Sequence, residues 1–319
     1  MAVGKWDEIE RLFSRAHGMP FDDRRKYLTT NASTPDVADK VDRLLAAEDR
    51  LSPEFMQTGI DQSPVVFALA EGEMIDGWEI VRPIAHGGMG EVYEVKRTKD
   101  GFEQFGALKL TRGASPRLIA HFMAERQFLA NLEHANIGRL IDGGTTPSGQ
   151  LYMVMELIEG KRITDFAKAR KLSIESRIKL FQALCNAVSF AHSLLILHRD
   201  IKPENVLVTA NGDVKLIDFG VASLSDPRGT ESFAPITPAY AAPEQIAGCP
   251  VSVQTDVYAL GRILSDLVTD ASVRSERDLI AIIRKATADD PQSRYSTVAG
   301  LQDDLERYLK TEPVIARYG

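Results

Sequence analysis

At 319 residues, the chain is long enough for one large domain or two smaller ones. Its composition, 44% hydrophobic and 26% charged, is that of an ordinary globular protein. The formal net charge of −7 argues against nucleic acid as the main partner, because phosphate backbones are bound by clustered Lys and Arg. Two isolated cysteines, Cys185 and Cys249, do not make a disulfide framework or a zinc site.

No targeting or membrane segment is predicted. The N-terminus, MAVGKWDEIERLF, lacks the apolar core of a signal peptide. The longest apolar runs fall far short of the ~20 residues that a membrane-spanning helix needs. The expected location is therefore the cytoplasm.

The first 50 residues predict a small helical extension. One set of apolar residues falls at helical spacing: Trp6, Ile9, Leu12 and Phe13. A second stripe follows Thr34 and Pro35, a typical N-cap and N1 pair: Val37, Val41, Leu44 and Leu45. The simplest interpretation is a packing module, and a recognition module is the alternative. Residues 51–75 lack sustained periodicity and predict a linker.

From Trp78 the pattern changes to strands, at 78–81, 91–95 and 151–155, with another strand ending at Leu110. Apolar stripes at 180–191 and 257–267 predict long buried helices. Strands first and helices later indicate an α+β fold, with a small sheet-rich lobe and a larger helical lobe. We place this domain at 76–310, with lobes at about 76–158 and 159–310, and a tail at 311–319.

A Gly-rich turn lies between the first two strands of this domain. Its residues are Ile84, Ala85, His86, Gly87, Gly88, Met89, Gly90, Glu91, Val92 and Tyr93. Glycines let backbone N–H groups approach phosphates, although a hairpin without a ligand would look the same. A Rossmann motif is disfavoured, because a strand rather than a helix follows the glycines.

Lys109 ends a strand inside an apolar run. The next predicted helix, capped by Ser115, carries Glu125 within an apolar stripe that steps by four and three residues: Leu118, Phe122, Glu125, Leu129 and Leu132. A charge in such a stripe needs a partner, and Lys109 is the expected one. A lysine held by a glutamate beside a Gly-rich turn is the arrangement that binds ATP phosphates in kinases.

Three motifs give the most specific signal. They are His198-Arg199-Asp200-Ile201-Lys202-Pro203-Glu204-Asn205, then Asp218-Phe219-Gly220, then Ala242-Pro243-Glu244. In this order they form the protein kinase signature. Its chemistry assigns Asp200 to orient the attacking hydroxyl and accept its proton, and assigns Asn205 and Asp218 as oxygen ligands for Mg²⁺.

From about Trp78 to Leu309, the chain resembles bacterial Ser/Thr protein kinases of the Hanks type. The resemblance implies a two-lobed kinase fold that transfers the γ-phosphoryl group of ATP to protein Ser/Thr hydroxyls, with Mg²⁺ as cofactor and Mn²⁺ as an alternative. It assigns catalytic roles to Asp200, Lys202, Lys109 and Glu125. Thr237 would support Lys202. The helical extension also resembles segments that precede the kinase domain in some of these proteins.

The resemblance also implies a nucleotide site. Phosphates would lie on the turn formed by Ile84, Ala85, His86, Gly87, Gly88, Met89 and Gly90. Adenine would lie among the gatekeeper Met155, the backbones of Glu156 and Ile158, and the side chains of Val92, Ala107 and Leu207. Asp256 would tie the catalytic loop to a long helix. Arg294 would pair with Glu244.

The resemblance also implies that Arg199 binds a phosphate on the activation loop, which is expected at residues 221–241. We expect autophosphorylation at Thr230 or Ser232, with a homodimer serving transfer in trans. The expected partner is otherwise a protein substrate, with no nucleic acid and no membrane segment.

Ala85 stands where the family has a glycine, and the segment at 269–277 is shorter than usual. These departures keep a pseudokinase as an alternative. A small-molecule kinase is disfavoured, because the Lys202 and Ala242 motifs belong to peptide-binding apparatus.

Overall fold

The computed structural model describes residues 12, 15–16, 21–34, 37–38, 41, 68–87, 90–99, 101–110, 132–147, 149–218, 237–269 and 277–317. The chain divides into two compact units, Met1–Val65 and Val66–Gly319. No helix within these described ranges is both long and apolar enough to cross a membrane.

The first unit contains helix α1, Phe21–Asn31. Its apolar core is formed by Leu12, Ala16, Leu28, Val37 and Val41. The hydroxyl of Thr34 accepts a hydrogen bond from the N–H of Val37 at 3.4 Å, as expected of the predicted N-cap. Helix α1 lies within the predicted helical extension, although its sequence FDDRRKYLTTN is too polar to show an apolar stripe of its own. Trp6, Ile9, Phe13, Leu44 and Leu45 lie outside the described residues.

The second unit begins with an antiparallel sheet of six strands in the order β1-β2-β3-β4-β6-β5. The strands are β1 Met74–Ile75, β2 Trp78–Gly87, β3 Gly90–Lys99, β4 Phe102–Leu110, β5 Leu140–Thr145 and β6 Leu151–Met155. Side chains alternate between the two faces. One face buries a cluster around Trp78, Tyr93, Val95 and Leu108, while Leu151 and Met153 on the other face join the core of the large lobe.

The large lobe carries a small sheet and six described helices. The strands are β7 Gly160–Arg162, β8 Val206–Thr209 and β9 Val214–Leu216. The helices are α2 Ile163–Ala169, α3 Ile174–Ser193, α4 Pro243–Ile246, α5 Val253–Val268, α6 Arg277–Ala286 and α7 Val298–Leu309. Both predicted long buried helices are present as α3 and α5. Their apolar faces form one core, which includes Phe181, Leu184, Leu260 and Leu264.

Helices α5 and α6 approach closely at Gly261. A Cβ added there would lie 2.7 Å from Cγ2 of Thr287 and 2.8 Å from Cβ of Ala286. The buried guanidinium of Arg177 donates to the carbonyl oxygen of Leu267 at 2.6 Å, which caps the end of α5. Residues 270–276, most of the short connection noted in the sequence, lie outside the described residues.

The C-terminal segment is attached to α7 by Asp304. This carboxylate is fully buried and accepts hydrogen bonds from the N–H groups of Ile315 at 2.7 Å and Ala316 at 2.9 Å. The hydroxyl of Tyr295 donates to the same carboxylate at 2.8 Å. Burial is the larger cause and this hydrogen bond the smaller one that raise the pKa of Tyr295, so the hydroxyl keeps its proton at neutral pH.

Replacing Asp304 with asparagine should therefore destabilise the large lobe. The amide removes the charge and leaves buried donors unsatisfied, which costs about 2–3 kcal/mol in free energy of unfolding. Urea unfolding would measure the loss. Asp303→Asn, at the exposed neighbouring position, is the matched control and should have no effect. Equal stability of the two variants would contradict the role of Asp304.

Candidate active site

The predicted nucleotide-binding side chains of the small lobe share one face of the sheet. Register places Val92 opposite Lys109 and Ala107 opposite Met155. Ala107 and Lys109 are two residues apart on β4, so their side chains point the same way. The hydrophobic residues and the lysine that the sequence assigned to adenine and phosphates are therefore brought together.

The Gly-rich turn joins β2 to β3, and its stems pair His86 with Glu91 and Gly87 with Gly90. Gly90 has a φ of 135°, a conformation that favours glycine. Ile84, Ala85 and His86 are exposed. Gly88 and Met89 lie outside the described residues.

Glu156 follows β6 and connects the lobes. Its N–H donates to the carbonyl of Arg139 at 2.8 Å, and its carboxylate binds Nζ of Lys215 at 2.9 Å. Lys215 lies on β9, next to β8, which carries Leu207. The predicted adenine residues of the two lobes are thus connected through an ion pair that the sequence did not reveal.

Lys109 forms an ion pair with Oδ1 of Asp218. The side chains are 15% and 31% exposed, so the pair is partly shielded from water. Asp218 has a left-handed backbone, with φ of 60°. The predicted partner Glu125 lies outside the described residues, and the described partner of Lys109 is the predicted metal ligand.

Asp200 is held by its neighbours in the catalytic loop. Nζ of Lys202 donates to Oδ2 of Asp200 at 2.7 Å and to the hydroxyl of Thr237 at 3.3 Å, so the expected contact between Lys202 and Thr237 is present. The side-chain amide of Asn205 donates to the backbone carbonyl of Asp200 at 2.8 Å and to Oδ2 at 3.2 Å. These contacts fix the carboxylate in one orientation.

Asp256 on α5 anchors this loop, as predicted. Its carboxylate accepts from the N–H groups of His198 and Arg199, both at 2.8 Å. Nε2 of His192 lies 2.7 Å from Oδ2 of the same carboxylate. Burial alone would raise the pKa of Asp256, but these donors outweigh it and hold the pKa below its usual value. The anchored backbone is left-handed at Arg199, where φ is 64°.

His198 connects the catalytic loop to the segment that leads to Asp218. Its Nδ1 accepts from the N–H of Asp200 at 3.3 Å, and its Nε2 lies 3.3 Å from the carbonyl oxygen of Ile217. Burial lowers the pKa of His198, which favours a neutral ring with one acceptor and one donor. The N–H of Ile217 donates to the carbonyl of Asn205 at 2.9 Å.

Glu244 forms the predicted ion pair with Arg294, with contacts of 2.7 and 2.8 Å. The next residue, Gln245, donates through Nε2 to the carbonyl of Arg199 at 2.8 Å. Tyr240 donates to Asp266 of α5 at 2.7 Å. Residues 240–245 are therefore attached both to the loop that contains Asp200 and to α5. Sequence reasoning missed Gln245 and Asp266, because their partners are distant in the chain.

Residues 219–236, which include Thr230, Ser232 and most of the predicted activation loop, lie outside the described residues. The prediction of autophosphorylation there stays a prediction.

Comparison with known proteins identifies the family. The model of the protein kinase domain matches residues 78–306. The serine/threonine-protein kinase PknB of Mycobacterium tuberculosis is 31% identical over 275 residues, which cover 75% of this chain and 44% of that protein. A probable serine/threonine-protein kinase PknB of Lactococcus lactis is 32% identical over 264 residues, covering 72% of this chain and 42% of that protein. The chain thus spans less than half the length of these relatives.

Among solved structures, the kinase domain of Mycobacterium tuberculosis PknI matches with a TM-score of 0.60 and 28% identity. The match covers 75% of this chain and 99% of that domain. The α+β two-lobed fold predicted from the sequence is thereby confirmed. The chain belongs to the protein kinase family, in its bacterial Hanks-type Ser/Thr branch.

Proposed function

We propose that this chain transfers the γ-phosphoryl group of ATP to Ser and Thr hydroxyls of protein substrates. The observation that carries the proposal is that the ion pair of Lys109 lies next to the loop that orients Asp200. Lys109 of the small lobe binds Asp218, and Asp200 is oriented by Lys202 and Asn205 in the adjacent loop. Phosphoryl transfer depends on positioning and electrostatic stabilisation, and these residues supply both.

The adenine ring would lie between Val92 and Ala107 of the small lobe and Leu207 of the large lobe, with Met155 behind it. The N–H of Glu156 is used by Arg139, so its carbonyl is the backbone group that would accept from the adenine amino group. Ile158 would supply a second backbone contact. The phosphates would extend toward the Gly-rich turn and Lys109.

The donor set suits a magnesium ion. Asp218 offers a carboxylate and Asn205 an amide oxygen, and backbone pairing of Ile217 with Asn205 brings the two together. Mg²⁺ prefers oxygen ligands and is often held by one or two protein groups together with waters and substrate phosphates. When bound, it would neutralise charge on the phosphates. Mn²⁺ prefers the same ligands.

Asp200 would accept the proton of the substrate hydroxyl and orient its oxygen for in-line attack. Lys202, already bound to Asp200 and Thr237, would offset negative charge on the transferring group. Since ATP is a cytoplasmic metabolite, we place this activity in the cytoplasm. A second copy of the chain is a candidate substrate, through Thr230 or Ser232.

Transfer of labelled γ-phosphate from Mg-ATP to a generic basic protein tests the proposal. Asp200→Asn keeps the shape of the side chain but removes the proton acceptor, and should lower transfer by about a hundredfold or more. Asp213→Asn, at an exposed turn of the large lobe, is the matched control and should transfer phosphate like the wild type. Wild-type protein that binds ATP but transfers no label would favour a pseudokinase instead.

A further inference from the structure

The face of the small-lobe sheet that points away from the nucleotide site carries a buried carboxylate. Glu91 directly follows the last glycine of the Gly-rich turn and is 7% exposed. Tyr93, two residues along β3, is fully buried on the same face. Val92, between them, points to the opposite face with Lys109. Glu91 therefore lies behind the turn and away from the predicted path of the nucleotide.

Segment 68–70 binds this carboxylate from outside the sheet. The N–H of Ala68 donates to Oε2 of Glu91 at 2.9 Å, and the N–H of Leu69 donates to the hydroxyl of Tyr93 at 3.1 Å. The Tyr93 hydroxyl in turn donates to the same Oε2 of Glu91. Two backbone N–H groups of the segment thus bind two side chains of β3, Glu91 and Tyr93.

The same carboxylate contacts the other stem of the turn. Nδ1 of His86 lies 3.6 Å from Oε1 of Glu91, and the two residues are paired across β2 and β3. Glu91 is therefore bound on one oxygen by segment 68–70 and Tyr93, and approached on the other by the strand that enters the turn. A displacement of the carboxylate would therefore shift both strands that flank the turn, β2 at His86 and β3 at Glu91.

The hydroxyl of Tyr93 stays protonated at neutral pH. Burial and the hydrogen bond to Glu91 raise the pKa of Tyr93 to about 12, so its hydroxyl remains a donor. Burying a carboxylate costs free energy unless donors surround it. Segment 68–70 provides one donor to Glu91 directly, the N–H of Ala68, and binds a second, the hydroxyl of Tyr93, through the N–H of Leu69. Leu69 also packs against the apolar cluster of this face, which keeps the segment in place.

We propose that Glu91 is a positioning residue for the Gly-rich turn, and that segment 68–70 controls the turn by holding Glu91. The proposal rests on the phosphate-binding role of the turn in the proposed function. Loss of the hydrogen bond from Ala68 to Glu91 would therefore change how tightly the turn holds phosphates, without any direct contact with the nucleotide.

The test is a comparison of nucleotide affinities in the full chain by calorimetry. Glu91→Gln removes the charge that the donors surround, and should weaken Mg-ATP and Mg-ADP binding by about fivefold, part of what a charge-assisted hydrogen bond contributes. Adenosine has no phosphates for the turn to hold, so its affinity should stay at the wild-type value. Glu79→Gln, at the opposite end of the β2–β3 pair, removes a partly exposed carboxylate bound to Lys96 and should change neither affinity.

A second pair of variants tests the segment itself. Ala68→Pro removes the N–H that binds Glu91, and should weaken Mg-ATP binding as Glu91→Gln does. Glu73→Ala removes the exposed carboxylate that accepts from the N–H of Ala70 and keeps the donors of Ala68 and Leu69, so it should leave the affinity unchanged. In steady-state kinetics, KM for ATP should rise in Ala68→Pro while KM for the protein substrate stays the same.

Several results would overturn the proposal. Equal weakening of adenosine and ATP in Glu91→Gln would show a general structural role, and wild-type ATP affinity in Ala68→Pro would show that the segment does not act on the turn. Wild-type protein that binds adenosine and ATP equally would overturn the phosphate-binding role of the turn itself. Wild-type protein that binds ATP with the expected preference but transfers no phosphate would contradict only the proposed activity.

Discussion

Asp218→Asn should lower kcat for phosphoryl transfer by about a thousandfold, because charge stabilisation by a bound metal contributes several kcal/mol to the transition state. The substitution keeps the size of the side chain. It removes the charge that would bind Mg²⁺ and that Lys109 binds in this structure. Measurement of kcat across a magnesium titration would show the loss together with a shift to higher magnesium.

Stability separates this effect from general damage. The ion pair between Lys109 and Asp218 is partly exposed, so its loss should change the free energy of unfolding little. Asp213→Asn is the matched control, with the same chemical change at an exposed turn five residues earlier. A variant that transfers phosphate within tenfold of the wild type would contradict the assignment of Asp218 as the metal ligand.

The candidate site was predictable from sequence where its residues lie in short motifs. His198 to Asn205 are close in the chain, and the contacts among Asp200, Lys202 and Asn205 are formed within one loop. Other contacts join residues that are distant in sequence. Asp256 binds the backbone of His198 and Arg199, and Glu244 binds Arg294. They were expected through the family resemblance, and the structure shows them.

Other parts could not be predicted, for physical reasons. His192 falls on a helix whose other residues are mostly apolar, and nothing in its spacing indicates that it binds Asp256. Strand β5, Leu140–Thr145, contains an aspartate and two glycines, so it lacks the pattern of a strand. The role of Glu91 depends on Ala68 and Leu69, whose backbone donors carry no sequence signal at all.

One chain of hydrogen bonds connects the proposed catalytic residues. Asp256 fixes the backbone before Asp200, His198 connects Asp200 to Ile217, and Ile217 precedes Asp218. Asp200, the proposed proton acceptor, and Asp218, the proposed metal ligand, are therefore positioned by the same buried helix, α5. Because Asp256 and His198 are both shielded from water, their hydrogen bonds are strong and their geometry is fixed before any substrate arrives.

Arg294→Met should lower the free energy of unfolding by about 3–5 kcal/mol, the usual cost of leaving one partner of a buried ion pair alone. Arg294 is 4% exposed and Glu244 is 9% exposed. The guanidinium also donates to the carbonyls of Ala288, Gln254 and Asp289, so the substitution frees several acceptors. Arg284→Met, at an exposed position on α6, is the control and should leave stability unchanged.

The pH dependence of this loss gives a second test. Burial would raise the pKa of Glu244, but the hydrogen bonds from Arg294, from its own backbone N–H and from Thr255 together outweigh it and hold the pKa below its ordinary value of 4.5. A carboxylate with a lowered pKa stabilises the folded state above its unfolded-state pKa, and this stabilisation is lost as the pH falls through the folded-state pKa. The difference between wild type and Arg294→Met should be largest at pH 7 and should shrink as the pH falls toward the lowered pKa that Glu244 has in the wild type, as urea unfolding at each pH would show. A difference that stays constant down to acidic pH would mean that Arg294 acts through packing and its backbone acceptors rather than through the charge of Glu244.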